Sequence, residues 1–320
     1  MIAPGSNHGP LQKGGKMNIK YFDHAATTYV KDEVLAEMFP YFKYKFGNAS
    51  SNYLMGRQSR NAVEESRNKV AKTLGANTRE IYFVSGGTEA DNLAIKGFAY
   101  ANKHKGNHII TSMIEHHAVL NTCKQLEKEG YRVTYISVDS DGIVNLNELE
   151  KAITNETILI TIMFANNEIG TIQPIEEIGI IARKNNICFH TDAVQAIGNI
   201  NINVNKYKID MLSLSGHKFY GPKGIGALYV RKGIEFMKIM DGGQHEMDKR
   251  SGTENVAGIV GIGKAIELAN KNLQSYNIKL TRFRDRYINE IECRLSKVRL
   301  NGHRTKRLSG NANMSFYRNR

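Results

Sequence analysis

The sequence has no tryptophan, five prolines and three cysteines, and it contains no long apolar run. A membrane helix needs about 20 consecutive apolar residues, and a signal peptide needs a shorter apolar core near the N-terminus. The chain shows neither pattern, so we expect no membrane span and no export. Cys123, Cys188 and Cys293 lie far apart, without a CxxC pair or metal-ligand spacing. We therefore expect reduced thiols in a cytoplasmic protein, and no bound metal.

The formal net charge of +13 raises the question of nucleic-acid binding. Eight Lys and Arg residues, and no Asp or Glu, lie between positions 294 and 320. The excess charge is therefore concentrated at the C-terminal end, without the interleaved aromatic residues of a nucleic-acid-binding motif. We interpret it as a solvated basic end and expect no direct contact with nucleic acid.

Hydrophobic patterning indicates the fold class. Residues 1–16 show almost no periodicity, and we expect a disordered, non-native extension with Met17 as the natural start. From Tyr21 onwards, apolar strand-like segments alternate with amphipathic helices. The predicted strands are 81–84, 108–111, 131–138, 158–164, 187–190, 211–214 and 225–230, and the predicted helices include 58–74, 118–129 and 175–184. Strands separated by helices favour an α/β fold, with a mostly parallel sheet covered on both faces.

The pattern changes around Asn255. Two long helices, 256–272 and 278–295, are predicted there, followed by short strands at 298–300 and 313–316. We expect residues 17–255 to form a large domain and residues 256–320 a smaller α+β domain.

Candidate site residues follow predicted strands, where the binding crevice of an open parallel sheet lies. Gly86, Gly87 and Thr88 stand between a strand and a helix, where free N–H groups and the helix dipole favour a phosphate. A Gly-Gly pair before a helix is also found in simple turns. Asp192 and Gln195 have the spacing of a helix capping box. Alternatively, Asp192 pairs with a protonated ring nitrogen, which pyridoxal 5′-phosphate (PLP) offers.

The segment 213–224 is the most informative part of the chain. Lys218 follows a predicted strand, among small residues and inside a loop that contains Gly and Pro. A lysine that forms a Schiff base must be held in place and partly desolvated, which lowers its pKa. An ordinary loop lysine is the alternative.

Two further strand ends carry polar groups. His116 follows the strand at 108–111, where an imidazole can stack on a planar ring and move protons, and a surface histidine is the alternative. Asn167 follows the strand at 158–164, where its amide can bind a phenolate oxygen or a carboxylate, and an Asx-turn is the alternative. The combination of phosphate cradle, ring stacker, pyridinium partner and imine-forming lysine indicates a PLP site.

On these motifs the chain resembles the cysteine desulfurases of the NifS/IscS group, which are class-V aminotransferases of PLP fold type I. The matching segments follow the family's order: 21–28, 86–89, 115–116, 166–170, 190–195, 215–218 and 250–253. His24 departs from the family, which usually has Asn there. The resemblance covers Met17 to about Phe316. It implies a seven-stranded, mostly parallel sheet covered by helices and a smaller, incomplete α+β domain.

The resemblance also implies a role for each candidate residue. Lys218 forms the imine with PLP, and His116 stacks on the cofactor ring and assists proton transfer. Asp192 pairs with the ring nitrogen, while Gln195 and Asn167 bind near the phenolate oxygen and the substrate. The phosphate is held by Gly87, Thr88, Ser215 and His217 and, across a homodimer, by Thr253 of the partner subunit.

By the same resemblance, the reaction converts L-cysteine to L-alanine. A cysteine on a mobile loop takes the sulfur as a persulfide. It passes the sulfur to an acceptor protein, a scaffold or a thiolation enzyme, for iron–sulfur clusters, thiolated cofactors or tRNA. That loop, and an arginine that binds the substrate carboxylate, are expected beyond Arg320, where this chain ends. We therefore expect a C-terminally truncated desulfurase that binds PLP and has impaired turnover.

Three alternatives remain open on the sequence alone. One is another class-V reaction, such as that of a selenocysteine lyase or an aminotransferase. Another is a non-catalytic, truncated PLP-binding homologue. A metal hydrolase built on His190 and Asp192 is disfavoured, because the pair lacks metal-ligand spacing.

Overall fold

The computed structural model describes residues 20–317, so the predicted extension at 1–16 and the predicted start at Met17 lie outside the described part. The helices are α1 Asp32–Lys43, α2 Leu54–Leu74, α3 Gly87–Asn102, α4 His117–Lys128, α5 Leu146–Ala152, α6 Ile175–Lys184 and α7 Val256–Arg294. The strands are β1 Ile81–Val84, β2 His108–Ser112, β3 Arg132–Ile136, β4 Thr157–Thr161, β5 Cys188–Asp192, β6 Met211–Ser215, β7 Gly226–Val230, β8 Val298–Leu300 and β9 Met314–Phe316.

Seven strands form the main sheet, in the order β1-β7-β6-β5-β4-β2-β3. Strands β2 to β6 pair in parallel, and β7 runs antiparallel to both β1 and β6. Six strands therefore point one way and β7 the other. The predicted fold class, a mostly parallel seven-stranded sheet, is confirmed.

Helices cover both faces of this sheet. Along β1, Ile81 and Phe83 pack into a core with α2, α6 and the first half of α7. Tyr82 and Val84 point to the other face and pack into a second core with α3 and α4. This alternation follows from the two-residue repeat of a strand. Because helices cover both faces of the sheet, only the ends of its strands can form an open crevice. Polar side chains that follow the strands reach the surface there.

Most predicted elements are confirmed, and Gly75 ends α2 with a left-handed φ of 69°. The prediction of two helices after Asn255 is wrong, because α7 is one continuous helix of 39 residues. The predicted break between the two helices, residues 273–277, contains neither Gly nor Pro. Polar residues lower helix propensity by only tenths of a kcal/mol each. Here Asn277 also donates to the carbonyl of Asn199 at 2.7 Å, which ties the helix to the turns that follow β5.

Helices α1 and α5 were not predicted. Pro40 lies inside α1 and weakens its sequence pattern, and α5 has only seven residues. The predicted C-terminal strands are confirmed as the antiparallel pair β8–β9. The division of the chain at residue 255 stays a prediction. No helix among residues 20–317 is long and apolar enough to cross a membrane.

Candidate cofactor site

The predicted site residues converge at the carboxyl ends of the parallel strands. Asp192 is the last residue of β5, and Ser215 is the last residue of β6. These two strands are neighbours, with Asp192 opposite Ser213. His116 follows β2 and caps the start of α4. The sheet topology thus brings residues that are far apart in sequence to one edge.

Lys218 lies in a short helical turn directly after β6. Its Nζ donates hydrogen bonds to the backbone carbonyls of Ala25 at 2.5 Å and Ala26 at 2.9 Å. Burial lowers the pKa of Lys218, and the negative charges of Asp192, Asp23 and Glu168 partly offset this. The amine is therefore fixed in position and closer to its neutral, nucleophilic form than a surface lysine is.

Asp192 has one oxygen engaged and one available. Its Oδ1 accepts a hydrogen bond from the Val194 N–H at 2.9 Å, and no described residue donates to Oδ2. Burial raises the pKa of Asp192, while the Val194 N–H and the charges of His116 and Lys218 lower it. The electrostatic influence of Lys218 and His116 places both side chains near this carboxylate.

The alternative interpretation of Asp192 and Gln195 as a helix capping box is wrong. No helix begins after Asp192, and residues 194–199 form turns. Gln195 instead donates from Nε2 to the carbonyl of Ala25 at 2.9 Å. Gln195 and Lys218 therefore share one backbone acceptor, and the segment before α1 forms a wall of the site. Sequence reasoning missed this wall because backbone carbonyls leave no residue-specific signal.

The turn before α3 has the shape of an anion cradle. Helix α3 begins at Gly87, so its first N–H groups have no partner within the helix. A Cβ added at Gly87 would lie 2.7 Å from Cγ2 of Val194 and 3.6 Å from Cβ of Ser215. A methyl group at position 87 would therefore have to displace Val194, and Ser215 at the end of β6 lies next to this turn. Thr88 is exposed next to this turn.

His217 is held next to the same region by the N-terminal segment. Its Nδ1 lies 3.0 Å from Oγ1 of Thr27, and its carbonyl accepts from Oγ1 of Thr28 at 2.8 Å. Burial lowers the pKa of His217 to about 4, with a further contribution from Lys218 and Lys223. His217 is therefore a neutral hydrogen-bonding group at physiological pH.

His116 is oriented by its own helix. Its Nδ1 accepts a hydrogen bond from the Ala118 N–H at 3.1 Å, so we assign the ring proton of the neutral form to Nε2. The ring itself is exposed at the strand ends. Nearby, Asn167 donates to Oε1 of Glu168 at 2.7 Å, and the charge of Glu168 reaches Lys218. His116 and Asn167 therefore lie at the same edge as the lysine.

Thr253 does not join this group within one chain. It is exposed in the loop before α7, and no hydrogen bond among the described residues links it to the other predicted site residues. Glu89 receives hydrogen bonds from the Ser85 N–H at 2.7 Å and from Nε of Arg250 at 2.8 Å, which ties this loop to the cradle. The predicted contact of Thr253 with the partner's phosphate stays a prediction.

Two buried carboxyls escaped the sequence reasoning. Asp91 and Glu115 are 1% and 5% exposed, and burial raises the pKa of both, with a further contribution from the charge of Asp192. Asp91 shares the buried face of α3 with Ala94 and Phe98, at helical spacings of three and seven. The sequence signal for this buried carboxyl was an acidic residue, Asp91, on the otherwise apolar face of α3.

The donor set fits PLP. The first N–H groups of α3 at Gly87 are available for a phosphate, Lys218 is a partly desolvated amine, and Oδ2 of Asp192 is available for a pyridinium N–H. No cluster of three metal-ligating side chains occurs in the described part of the chain.

Comparisons with known proteins agree with this arrangement. The family model "Aminotransferase class-V" matches residues 20–318. The cysteine desulfurase IscS of Clostridium botulinum is 56% identical over 298 residues, which cover 92% of this chain and 75% of the relative. Among solved structures, a NifS-like protein has a TM-score of 0.88 at 41% identity, covering 90% of this chain and 79% of that one. SspA in complex with cysteine has a TM-score of 0.85 at 42% identity, covering 93% and 84%.

We predict that Gly87→Ala weakens binding of PLP by about tenfold to hundredfold. The added methyl would collide with Val194 and displace N–H donors, and a hydrogen bond to a charged group contributes about 1.5–3 kcal/mol. The measurement is a titration with PLP followed by absorbance. Gly130→Ala is the control, because its left-handed φ of 89° imposes strain far from any neighbour. Equal losses in both variants would contradict the cradle.

Proposed function

We propose that this chain, which belongs to the class-V aminotransferase family, binds PLP and acts on L-cysteine as a cysteine desulfurase-type enzyme. Class-V aminotransferases, including the cysteine desulfurases, depend on PLP. One observation supports the proposal more than any other. Lys218 and Asp192 follow neighbouring strands at the same sheet edge, close enough for the charge of each to shift the pKa of the other. That is the arrangement needed to hold a pyridine ring between an amine and a carboxylate.

The chain's own residues have distinct tasks in this proposal. PLP, when bound, supplies an electron sink that stabilises negative charge on the substrate's α-carbon. Asp192 keeps the ring nitrogen protonated, and Lys218 provides the amine that attaches the cofactor and moves the α-proton. His116, with its proton on Nε2, stacks on the ring and exchanges protons with the substrate. Gly87, Thr88, Ser215 and His217 hold the phosphate.

L-cysteine is the proposed substrate. The solved structure of SspA in complex with cysteine covers 93% of this chain, which supports a small thiol-containing amino acid. Asn167 and Gln195 present amides at the strand edge, where a carboxylate or phenolate oxygen would lie. A sulfur-acceptor protein and a cytoplasmic location stay predictions.

None of the chain's three cysteines is suited to take the substrate's sulfur. Cys123 and Cys188 are buried, and burial raises the pKa of Cys123 to about 12 and that of Cys188 well above its usual value. Cys188 begins β5 while Asp192 ends it, a separation of roughly 13 Å along the strand. Cys293 is exposed in the last turns of α7. We infer that the chain binds substrate but forms little persulfide.

A homodimer is supported by an exposed aromatic surface. Ten large hydrophobic residues between positions 21 and 54 are exposed: Tyr21, Phe22, Tyr29, Leu35, Phe39, Phe42, Tyr44, Phe46, Tyr53 and Leu54. On α1 they form one face, with Val34 and Met38 buried on the other. An exposed apolar helix face with further exposed aromatic residues in the flanking segments is typical of an interface. The proposed occupant is a second copy of the chain.

We predict that purified protein incubated with PLP gains the absorbance band of an imine, and that Lys218→Ala does not. Reduction with borohydride followed by peptide mass spectrometry should place the cofactor on Lys218. Lys232→Ala is the control, because Lys232 is an exposed lysine that follows the neighbouring strand β7. Cofactor attached to a different lysine, or an unchanged band in Lys218→Ala, would refute the proposed attachment.

We predict further that L-cysteine changes the spectrum of the PLP-bound protein, while little sulfide or protein persulfide accumulates. The reason is that Cys123 and Cys188 are buried with raised pKa values, and Cys293 lies near the end of α7 and not at the strand ends that carry the site. Sulfide is measured after addition of a reductant, and persulfide by alkylation and mass spectrometry. Rapid sulfide release that depends on Lys218 would show that this inference is wrong.

We predict that Phe39→Glu combined with Phe42→Glu converts a dimer into a monomer. Each substitution places a charge on the exposed face of α1, so desolvating that face on association becomes unfavourable. Sedimentation velocity measures the oligomeric state, and circular dichroism checks the fold. The control is Ile180→Glu, which charges an isolated exposed apolar residue on α6. A wild-type monomer, or a variant that stays dimeric, would contradict the interface.

A further inference from the structure

Three buried carboxyl groups, those of Asp91, Glu115 and Asp192, lie near enough to influence one another's ionisation, and we call them the carboxyl cluster. They are 1%, 5% and 6% exposed, and they come from α3, from the turn before α4 and from the end of β5. Burial is the main cause that raises the pKa of Asp91 and of Glu115, and the charge of Asp192 raises both further. Hydrogen bonds from Ser213 to Asp91 and from Ser112 and Met163 to Glu115 offset part of this rise. Like charges in one buried site cannot all be ionised at neutral pH.

The hydrogen bonds around Glu115 leave one of its oxygens without a partner. Its Oε1 accepts from Oγ of Ser112 at 2.5 Å and from the Met163 N–H at 2.9 Å. Its Oε2 is buried and has no partner among residues 20–317. The neighbouring thiol of Cys123 is also buried, and burial raises its pKa to about 12, so it is neutral and cannot balance a charge on Glu115. An ionised Glu115 would have an unpaired buried charge, which is costly.

Asp91 lies in a similar environment. Its Oδ1 is buried without a hydrogen-bond partner in the described structure. The nearest ionisable group is His190, whose Nε2 lies 3.7 Å away. Burial lowers the pKa of His190 to about 3, so this ring is neutral, and it already contacts the hydroxyls of Thr161 and Ser213. Asp91 therefore has no cation to compensate a negative charge.

Asp192 differs from the other two because Lys218 and His116 face it. Lys218 and His116 both lower its pKa, and so does the Val194 N–H. No Lys or Arg of the described chain forms an ion pair with Asp91 or Glu115. The cluster therefore favours its negative charge on Asp192, on the side where the lysine lies.

Resting on the proposed function, we propose that Asp91 and Glu115 are neutral carboxylic acids that act as positioning residues for Asp192. Because both carry a proton, Asp192 is the single anion of the cluster, and its charge is directed at the ring nitrogen of PLP. Neither Asp91 nor Glu115 touches the cofactor in this proposal. Because they stay neutral, they place no second negative charge next to Asp192, so Asp192 can remain ionised.

The pH dependence of folding gives a first test without cofactor. An exposed carboxyl in the unfolded chain has a pKa of about 4.3, whereas the pKa of Glu115 in the folded protein is about 8. Between these values the folded state holds a proton that the unfolded state has lost, so stability falls as pH rises. As the pH rises, the equilibrium constant for unfolding should increase in the wild type relative to Glu115→Gln, by about a factor of ten for each pH unit. An equal slope in both proteins would overturn the proposal for Glu115.

Infrared spectroscopy tests the protonation of both residues directly. At pH 7 the wild type should show the carbonyl stretch of buried protonated carboxyls, and Asp91→Asn and Glu115→Gln should each remove part of it. The wild-type spectrum alone, recorded against pH, gives the same answer if a variant does not fold. Spectra that contain only carboxylate bands at pH 7 would overturn the proposal.

Cofactor binding tests the link to Asp192. The amides imitate neutral acids, so Asp91→Asn and Glu115→Gln should bind PLP within about threefold of the wild type, with an unchanged pH titration of the bound cofactor's absorbance. Asp192→Asn should weaken binding at least about tenfold, the equivalent of one pKa unit. A shifted titration in Asp91→Asn would show that Asp91 carries charge and overturn the proposal. If PLP fails to bind the wild type, the proposed function fails, while the infrared and stability results still decide the protonation.

Discussion

The site depends on one electrostatic constraint, which is the cost of a negative charge on Asp192 in the protein interior. Burial raises the pKa of this carboxyl, and the charges of Lys218 and His116 and the Val194 N–H lower it. Lys218 is subject to the reverse balance, because burial lowers its pKa and Asp192 raises it. Each group therefore favours the charged form of the other, and burial opposes this for both. Bound PLP would offer its ring N–H to Asp192 and its aldehyde to Lys218.

The sheet topology makes this balance possible. Residues 192 and 218 are separated by a long connection in sequence, yet they follow adjacent parallel strands whose ends lie at the same edge. Helix α3 begins at that edge and supplies unpaired N–H groups where an anion would bind. A carboxylate, an amine and an anion cradle thus come together because parallel strands end on the same side. No residue needs a strained backbone to reach its place at 192, 215 or 218.

Much of this arrangement could be predicted from sequence, and the exceptions share a cause. Continuous apolar runs predicted the central strands, and Gly87, Asp192 and Lys218 carry residue-specific signals. The break predicted near residue 273 was wrong because polar residues lower helix propensity without ending a helix. The carbonyl of Ala25, which accepts from both Gln195 and Lys218, could not be found because every residue has a carbonyl. Tertiary structure alone assigns it that role.

The N-terminal segment connects the site to the proposed dimer. Residues 25–28 hold Lys218, Gln195 and His217 through hydrogen bonds, and the same stretch continues into α1 with its exposed aromatic face. Tyr29 and Lys31 pack against Tyr220, two residues after the lysine. A second copy seated on the aromatic face would therefore restrict the backbone that positions the amine. Dimerisation and cofactor binding would each order this segment. Whichever occurs first lowers the entropic cost of the other, so the two should stabilise each other.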